Sequence, residues 1–182
     1  MYILGICGSL RATSSNRRLL TAASTFMPQG VEMHSTSCVG RLPLFNPDVQ
    51  PEDSEIVVEW AREMRAADGL IVSTPEYARG YPGALKNAFD WLVGTDACVN
   101  KPFMLLNASA RGTTAQSTLT TVLETMSGIH IDRASTTIPL LGTSLDVPDI
   151  LASTEFAQRI RASVLTFVAE LEQRAISDHA RA

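Results

Sequence analysis

Short apolar segments alternate with longer amphipathic segments along most of the chain. Three apolar runs are continuous, which predicts central strands buried on both faces: Tyr2–Cys7, Gly69–Ser73 and Pro102–Asn107. Residues 31–35 alternate apolar with polar positions, which predicts a strand nearer an edge of the sheet. The weaker segment at residues 135–140 predicts a fifth strand, also toward an edge.

Amphipathic helices are predicted between these strands, at residues 16–26, 54–67, 83–93, 113–127 and 154–174. The fourth carries Leu119 and Leu123 on one face, and Ile160, Val164 and Phe167 share one face of the fifth, as in helices that pack on a core. Strict alternation of five strands and five helices predicts an α/β fold. We expect a three-layer sandwich around a five-stranded parallel sheet of strand order 2-1-3-4-5.

Length, composition and charge favour a single globular domain that does not bind nucleic acid. The 182 residues suit one domain, expected over residues 1–175, with the small and polar residues 176–182 as a frayed tail. Hydrophobic residues make up 45% of the chain, and 15 Lys and Arg against 19 Asp and Glu give a net charge of −4, which argues against a nucleic-acid partner.

Cysteine usage and the amino-terminal residues bear on the compartment. Cys7, Cys38 and Cys98 form no CxxC pair, which predicts free thiols of a reducing compartment. The first ten residues lack the basic region of a secretory signal, and no apolar run approaches the roughly 18 residues of a membrane span. We predict a cytoplasmic protein with no membrane partner.

The loop at residues 8–16 is the first candidate for chemistry, because ligands of open parallel sheets bind beyond the carboxyl ends of the strands. It opens a helix and carries four hydroxyls and Arg11, which suits a phosphate monoester. It is neither a Walker A motif nor GxGxxG, which disfavours a nucleoside triphosphate or a dinucleotide at this point. The alternative is a Ser-rich loop that only caps the helix, with Ser14 or Ser15 as the N-cap.

Two further loops follow the third and fourth strands. Residues 74–83 contain two prolines and two glycines, which shape the backbone so that its amides can meet the polar edge of a ring system. The alternative for this segment is a plain turn before a helix that starts near Pro82. Residues 107–113 either close over a bound ring or simply cap the next helix.

Here two motifs carry a resemblance to a known family. GSLRATSSN at residues 8–16, followed by PEYARGYPGALKNAFDW at residues 75–91, closely resembles the two signatures of the NADPH-dependent FMN reductase family. This flavodoxin-like group includes quinone, chromate and azo-dye reductases. The resemblance covers nearly the whole chain and implies FMN as cofactor and NADPH or NADH as co-substrate. It also implies a homodimer or homotetramer, with residues 38–53 and 76–81 facing a partner subunit.

The resemblance also implies cofactor contacts at individual positions. The positions that the resemblance implies for the FMN phosphate are Ser9, Arg11, Ser14 and Asn16. Those implied for the isoalloxazine ring are Pro75, Glu76 and Tyr77, with Ser109 near a third contact, and Ser15 and Ala78 are expected to bind the cofactor as well. The chain departs from the family at Ser15, where an aromatic residue is frequent, and at Ala78, where Asn is common. Arg79 and Gly80 replace what is often an aromatic residue and a serine.

We therefore predict an FMN-dependent NAD(P)H oxidoreductase that passes electrons by ping-pong hydride transfer to quinones, free flavin or another small-molecule oxidant. No catalytic side chain is assigned, because the reaction takes place at flavin N5. Arg79 is either a contact of the NADPH 2′-phosphate or a solvated or salt-bridged arginine. Glu76 is expected to be a helix-proximal or interface carboxylate.

Other classes remain open. His34, His130 and His179 have no partner at metal-ligand spacing, so no metal is assigned. The same fold also suits a flavodoxin-like electron carrier or a flavin-free binding module.

Overall fold

The three continuous apolar runs form the adjacent central strands of one parallel sheet. The structure is a computed structural model that describes residues 1–179. Its strands are β1 (Tyr2–Cys7), β2 (Glu32–Ser35), β3 (Gly69–Ser73), β4 (Pro102–Asn107), β5 (Ile129–His130) and β6 (Thr136–Thr137). The strand order is β2-β1-β3-β4-β5, and β6 also pairs with β4. The predicted order and the edge position of the alternating segment are confirmed.

The predicted fifth strand is wrong in its position and length. β5 pairs with the beginning of β4, β6 pairs with its end, and a 3-10 turn at Asp132–Ala134 separates them. In the gap, Leu105 N–H donates a hydrogen bond to Ser135 Oγ at 3.0 Å instead of to a strand carbonyl. The sheet therefore has six strands, and only Thr136–Thr137 of residues 135–140 is a strand.

All five predicted helices are present, with ends shifted by a few residues. The helices are α1 (Ser15–Ser24), α2 (Glu55–Ala66), α3 (Gly83–Asp90), α4 (Thr113–Thr125), α5 (Val147–Ala152) and α6 (Thr154–His179). The short helix α5 was not predicted. A capping box stabilises its amino end: Asp146 and Asp149 each accept a hydrogen bond from the other's backbone N–H at 3.0 Å. α6 continues to His179, so residues 176–179 are helical where a frayed tail was expected, and residues 180–182 lie outside the described residues.

Helices cover both faces of the sheet. On one face, Trp60 of α2, Phe89 of α3 and Leu119 of α4 are fully buried in one apolar cluster. On the other face, α1, α5 and α6 build a second cluster that includes Phe167 and Ile160. The predicted three-layer arrangement and the predicted helix stripes are confirmed. Because both faces of the central strands are occupied, only the ends of the sheet remain for a ligand.

The three cysteines are all buried and free of disulfides. Burial raises the pKa of the Cys98 thiol to about 11, so this thiol stays protonated at neutral pH. Among residues 1–179, every helix is too short or too polar to cross a bilayer. The cytoplasmic location stays a prediction.

Candidate functional site

Three loops open at the carboxyl edge of the central strands. Loop A (residues 8–14) joins β1 to α1, loop B (residues 74–82) joins β3 to α3, and loop C (residues 108–112) joins β4 to α4. Because β1, β3 and β4 are parallel neighbours, their carboxyl ends lie at one edge of the sheet. The three segments predicted from the sequence to carry the chemistry are thus brought to the same edge.

Loop A is hydrogen-bonded to the end of β3 and packs closely against it. Gly8 N–H donates to Ser73 O at 2.9 Å, and a Cβ built on Gly8 would lie 2.2 Å from Thr74 Oγ1, so the two segments approach too closely for any side chain. Ser73 Oγ donates to Asn16 Oδ1 at 2.9 Å, and both residues are buried. The start of α1 is therefore positioned by the central strand of the sheet.

Ser14 is the N-cap residue of α1, yet its side chain does not cap the helix. The residue is 4% exposed, and its Oγ is buried without a hydrogen bond of good geometry among the described residues, with the Cys7 thiol as its polar neighbour. A buried hydroxyl without a partner costs about 1–3 kcal/mol. The position of Ser14 matches the capping alternative, but its hydroxyl does not, because it makes no hydrogen bond to the first-turn amides of α1.

The other predicted residues of loop A have different surroundings. Ser9 is buried, and its Oγ accepts the Arg11 N–H at 3.4 Å. Ser15 Oγ accepts a hydrogen bond from the Arg18 guanidinium at 3.1 Å. Arg11 is exposed at the rim of the loop. Ser9 and Ser15 therefore help to shape the loop and its helix, whereas the Arg11 side chain is exposed and the Ser14 hydroxyl does not cap the helix.

Loop B contains a tight turn with strained backbone. Tyr77 N–H donates to Gly80 O at 2.8 Å and Gly80 N–H donates to Tyr77 O at 3.0 Å. The two central residues, Ala78 and Arg79, have φ of 49° and 65°, as in a type I′ turn, which normally holds Asn and Gly. Each left-handed residue with a side chain costs about 1–2 kcal/mol. The turn leaves Tyr77, Ala78 and Arg79 exposed, with Pro75 half-buried at its base.

Glu76 connects loop B to the helix that follows loop C. Its Oε2 accepts the Ala115 N–H, in the first turn of α4, at 3.0 Å. A Cβ built on Gly112, the N-cap residue of α4, would lie 3.5 Å from Glu76 Cβ, so the two loops pack closely. Glu76 is thus a helix-proximal carboxylate.

Asn107, at the end of β4, shapes loop C. Its Oδ1 accepts the Ser109 N–H at 2.9 Å, and its Nδ2 donates to Gly112 O at 3.4 Å. Ser109, the residue predicted for the third contact, is half-buried, and its Oγ accepts the Arg111 N–H at 3.2 Å. Asn107 and Ser73 were missed as site residues. The signal that identifies both is a polar residue at the last position of an otherwise apolar strand.

The connection at residues 38–53 presents apolar side chains beside α3. Asn87 and Trp91 hold its middle: Phe45 N–H donates to Asn87 Oδ1 at 2.7 Å, and Trp91 Nε1 donates to Pro43 O at 2.8 Å. Leu44 between these anchors is 86% exposed. A fixed backbone with an exposed large apolar side chain is typical of a contact surface.

One group of potential metal ligands lies away from the three loops. Cys38 Sγ and carboxylate oxygens of Glu59 and Glu63 lie within 4.8 Å of one another. Burial raises the pKa of the Cys38 thiol, the thiol donates to Glu63 Oε2 at 3.6 Å, and Glu59 pairs with Arg41. These groups already satisfy one another, and the prediction that the chain has no metal site stays a prediction.

Known proteins are similar to this chain in both sequence and fold. The family model described as NADPH-dependent FMN reductase matches residues 1–140. A quinone reductase of Escherichia coli is 32% identical over 113 residues, which cover 60% of this chain and 60% of that protein. An NAD(P)H-dependent FMN reductase of Pseudomonas aeruginosa is 40% identical over 111 residues, which cover 59% of this chain and 60% of that protein. The matched part thus spans about three-fifths of these curated relatives.

Solved structures support the fold over more of the chain. FerB, a flavoenzyme NAD(P)H:(acceptor) oxidoreductase from Paracoccus denitrificans, superposes with a TM-score of 0.75 at 23% identity, over 94% of this chain and 97% of that chain. An NADH:FMN oxidoreductase superposes with a TM-score of 0.68 at 21% identity, over 91% of this chain and 87% of that chain. At such identities the likeness establishes the flavodoxin-like fold alone.

Proposed function

The chain belongs to the NADPH-dependent FMN reductase family, and on this basis we propose that it is a flavoenzyme that binds FMN across loops A, B and C and transfers electrons from NAD(P)H to a small-molecule oxidant. The observation that carries the proposal is the amino end of α1, which has no acidic residue in its first turn and no side-chain cap, and beside which the Ser14 hydroxyl is buried. The named activities of the relatives, quinone reduction and FMN reduction, give the class of oxidant that we propose.

Loop A fits a phosphate ester. The first-turn amides of a helix have no partner within the helix, and α1 has neither an acidic residue in its first turn nor a side-chain cap. The amino end of α1 therefore keeps its positive potential, and Ser14 Oγ and Arg11 add a hydroxyl and a cation. We propose that Ser14, Arg11 and these amides bind the FMN phosphate, while Ser9, Ser15 and Asn16 hold the loop in shape.

Loops B and C would hold the isoalloxazine ring. When bound, FMN supplies the redox chemistry, because it accepts a hydride from NAD(P)H and later yields the electrons to an oxidant. The chain then needs no nucleophile of its own. Its part is to orient the ring with the backbone of Pro75, Glu76 and Tyr77 on one side and Ser109 on the other, with Ala78 at the turn.

We also propose that the chain forms a homodimer or homotetramer through residues 38–53 and 76–81. The exposed Leu44 on a fixed backbone supports this surface. In sedimentation velocity we expect a dimer or tetramer for the native chain and a smaller species for Leu44→Glu. Leu141→Glu, at a position that is 63% exposed elsewhere, serves as the control and should keep the native size. A native monomer at all concentrations would contradict this assembly.

The FMN site is tested by the flavin absorbance of the purified chain and by removal of the Ser14 hydroxyl. The purified chain should bind FMN, absorb as a flavoprotein and bleach anaerobically on addition of NADPH. Ser14→Ala should raise the FMN dissociation constant about tenfold or more, because a hydrogen bond to a charged phosphate is worth about 1.5–3 kcal/mol. Riboflavin, which lacks the phosphate, should bind both proteins equally, as judged by quenching of flavin fluorescence.

The apoprotein and a second variant complete this test. Because Ser14 caps nothing in the structure, Ser14→Ala should not lower the unfolding midpoint of the apoprotein in urea. Thr21→Ala, at an exposed position of the same helix, should leave the affinity for FMN unchanged. A chain that stays colourless and binds no FMN would overturn the proposed function, whereas a destabilised Ser14→Ala apoprotein with normal FMN affinity would restore the capping role.

Steady-state kinetics tests the order of the reaction. We propose that NAD(P)H and the oxidant bind in turn, with oxidised nicotinamide leaving before the oxidant enters. Double-reciprocal plots of rate against NADPH at several concentrations of a quinone should then be parallel. Intersecting lines would require both substrates to be bound together and would contradict the ping-pong order.

Arg79 is proposed to contact the 2′-phosphate of NADPH, which its exposure and its strained position at the turn support. Arg79→Gly should remove the left-handed strain, raising the free energy of unfolding by up to about 1 kcal/mol. It should also lower kcat/KM for NADPH about tenfold without changing that for NADH. Arg111→Gly, which replaces an exposed arginine outside the left-handed region, should give no gain in stability. An unchanged NADPH to NADH ratio would leave Arg79 a merely solvated residue.

A further inference from the structure

The amino ends of α1 and α4 both lie at the carboxyl edge of the sheet, but they differ in whether a carboxylate bonds to their first-turn amides. Neither helix has an acidic residue in its own first turn or a side-chain cap from its own N-cap residue. The N-cap of α4 is Gly112, which has no side chain to offer. Glu76, which comes from loop B, supplies α4 with a carboxylate, whereas no acidic side chain of residues 1–179 bonds to the first-turn amides of α1.

The contact between Glu76 and α4 is well formed. Glu76 Oε2 accepts the Ala115 N–H at 3.0 Å, and Ala115 is the third residue of α4, the usual target of a capping side chain. A Cβ built on Gly112 would lie 3.5 Å from Glu76 Cβ, so the Glu76 side chain begins beside the N-cap residue of α4. Glu76 is half-buried, so water screens its charge incompletely.

This contact has an electrostatic consequence for the site. A helix amino end carries about half a positive charge, and a carboxylate bound to its first-turn amides offsets that potential. At α1 the positive end remains available for a dianionic phosphate. At α4 it is neutralised beside the loops proposed to hold the ring. The two helix amino ends at this edge therefore differ in the potential that they offer to an anion.

We propose that Glu76 sets the reduction potential of the bound flavin by withholding the positive end of α4 from it. The inference rests on the proposed binding of FMN to loops A, B and C. Two-electron reduction adds negative charge to the pyrimidine edge of the ring. A carboxylate nearby disfavours that charge, so Glu76 keeps the bound FMN more strongly reducing and therefore suited to transfer electrons onward.

The decisive variant is Glu76→Gln, because the amide oxygen of Gln still accepts the Ala115 N–H while the charge is lost. The midpoint potential of bound FMN, measured by anaerobic dye equilibration, should become more positive. Reduced FMN should gain about three- to tenfold in affinity relative to oxidised FMN. Glu55→Gln removes the same charge from the first turn of α2 and should leave the potential unchanged.

A second variant predicts a shift of the opposite sign and does not alter Glu76. Thr113 is the exposed first residue of α4, and Thr113→Glu should make the midpoint potential more negative. Unchanged potentials in Glu76→Gln and Thr113→Glu, with FMN bound to both, would overturn the inference but leave the proposed function intact. If the native chain binds no FMN in the titration above, both fail together. A purely structural Glu76 would instead change stability in Glu76→Gln without moving the potential.

Discussion

The buried hydrogen bond between Ser73 Oγ and Asn16 Oδ1 determines where α1 begins relative to the central strand. Around it, the close approach of Gly8 to Thr74 and the bond from Gly8 N–H to Ser73 O leave little freedom for loop A. Without these contacts the amino end of α1 would not be directed at the edge where loops B and C open. The site thus depends on one polar contact placed between two apolar layers, where an unmade hydrogen bond is costly.

A second set of contacts joins the loops on the other side. Glu76 connects loop B to α4, and Asn107 folds loop C onto itself. Loops A and B are therefore joined through β3, and loops B and C through a carboxylate. These contacts lie within the chain and need no ligand, which lowers the ordering cost of binding. They also assign different potentials to the two helix ends, because, in the part of the chain that the structure describes, an acidic side chain bonds to the first turn of α4 and none bonds to that of α1.

The amino-acid sequence predicts the features that depend on continuous local patterns. β1, β3 and β4 follow from unbroken apolar runs, and the faces of α4 and α6 follow from helical spacing. The divided edge could not be predicted, because β5 and β6 have two residues each and their pairing is decided by a turn between them. The sequence also could not predict that the Ser14 side chain fails to cap α1 or that the Ala115 N–H donates to Glu76. Both depend on where distant backbone groups lie, and residue type at one position does not reveal that.

Several residues at the carboxyl edge of the sheet depart from the conformation or hydrogen bonding that their residue type prefers. Ser14 leaves a hydroxyl buried and unbonded, and Ala78 and Arg79 occupy a turn suited to Asn and Gly. Left-handed residues also occur elsewhere, but Asn100 is a residue type that tolerates this conformation and Ser127 directly follows the end of α4. No comparable local reason applies to Ser14 or to the Ala78–Arg79 pair. Such costs persist where the surrounding structure or a ligand compensates for them, since Gly or Asn would occupy the left-handed positions of this turn with less strain. The strained turn beside the buried Ser14 hydroxyl therefore supports the carboxyl edge as the place where the chain binds its ligand.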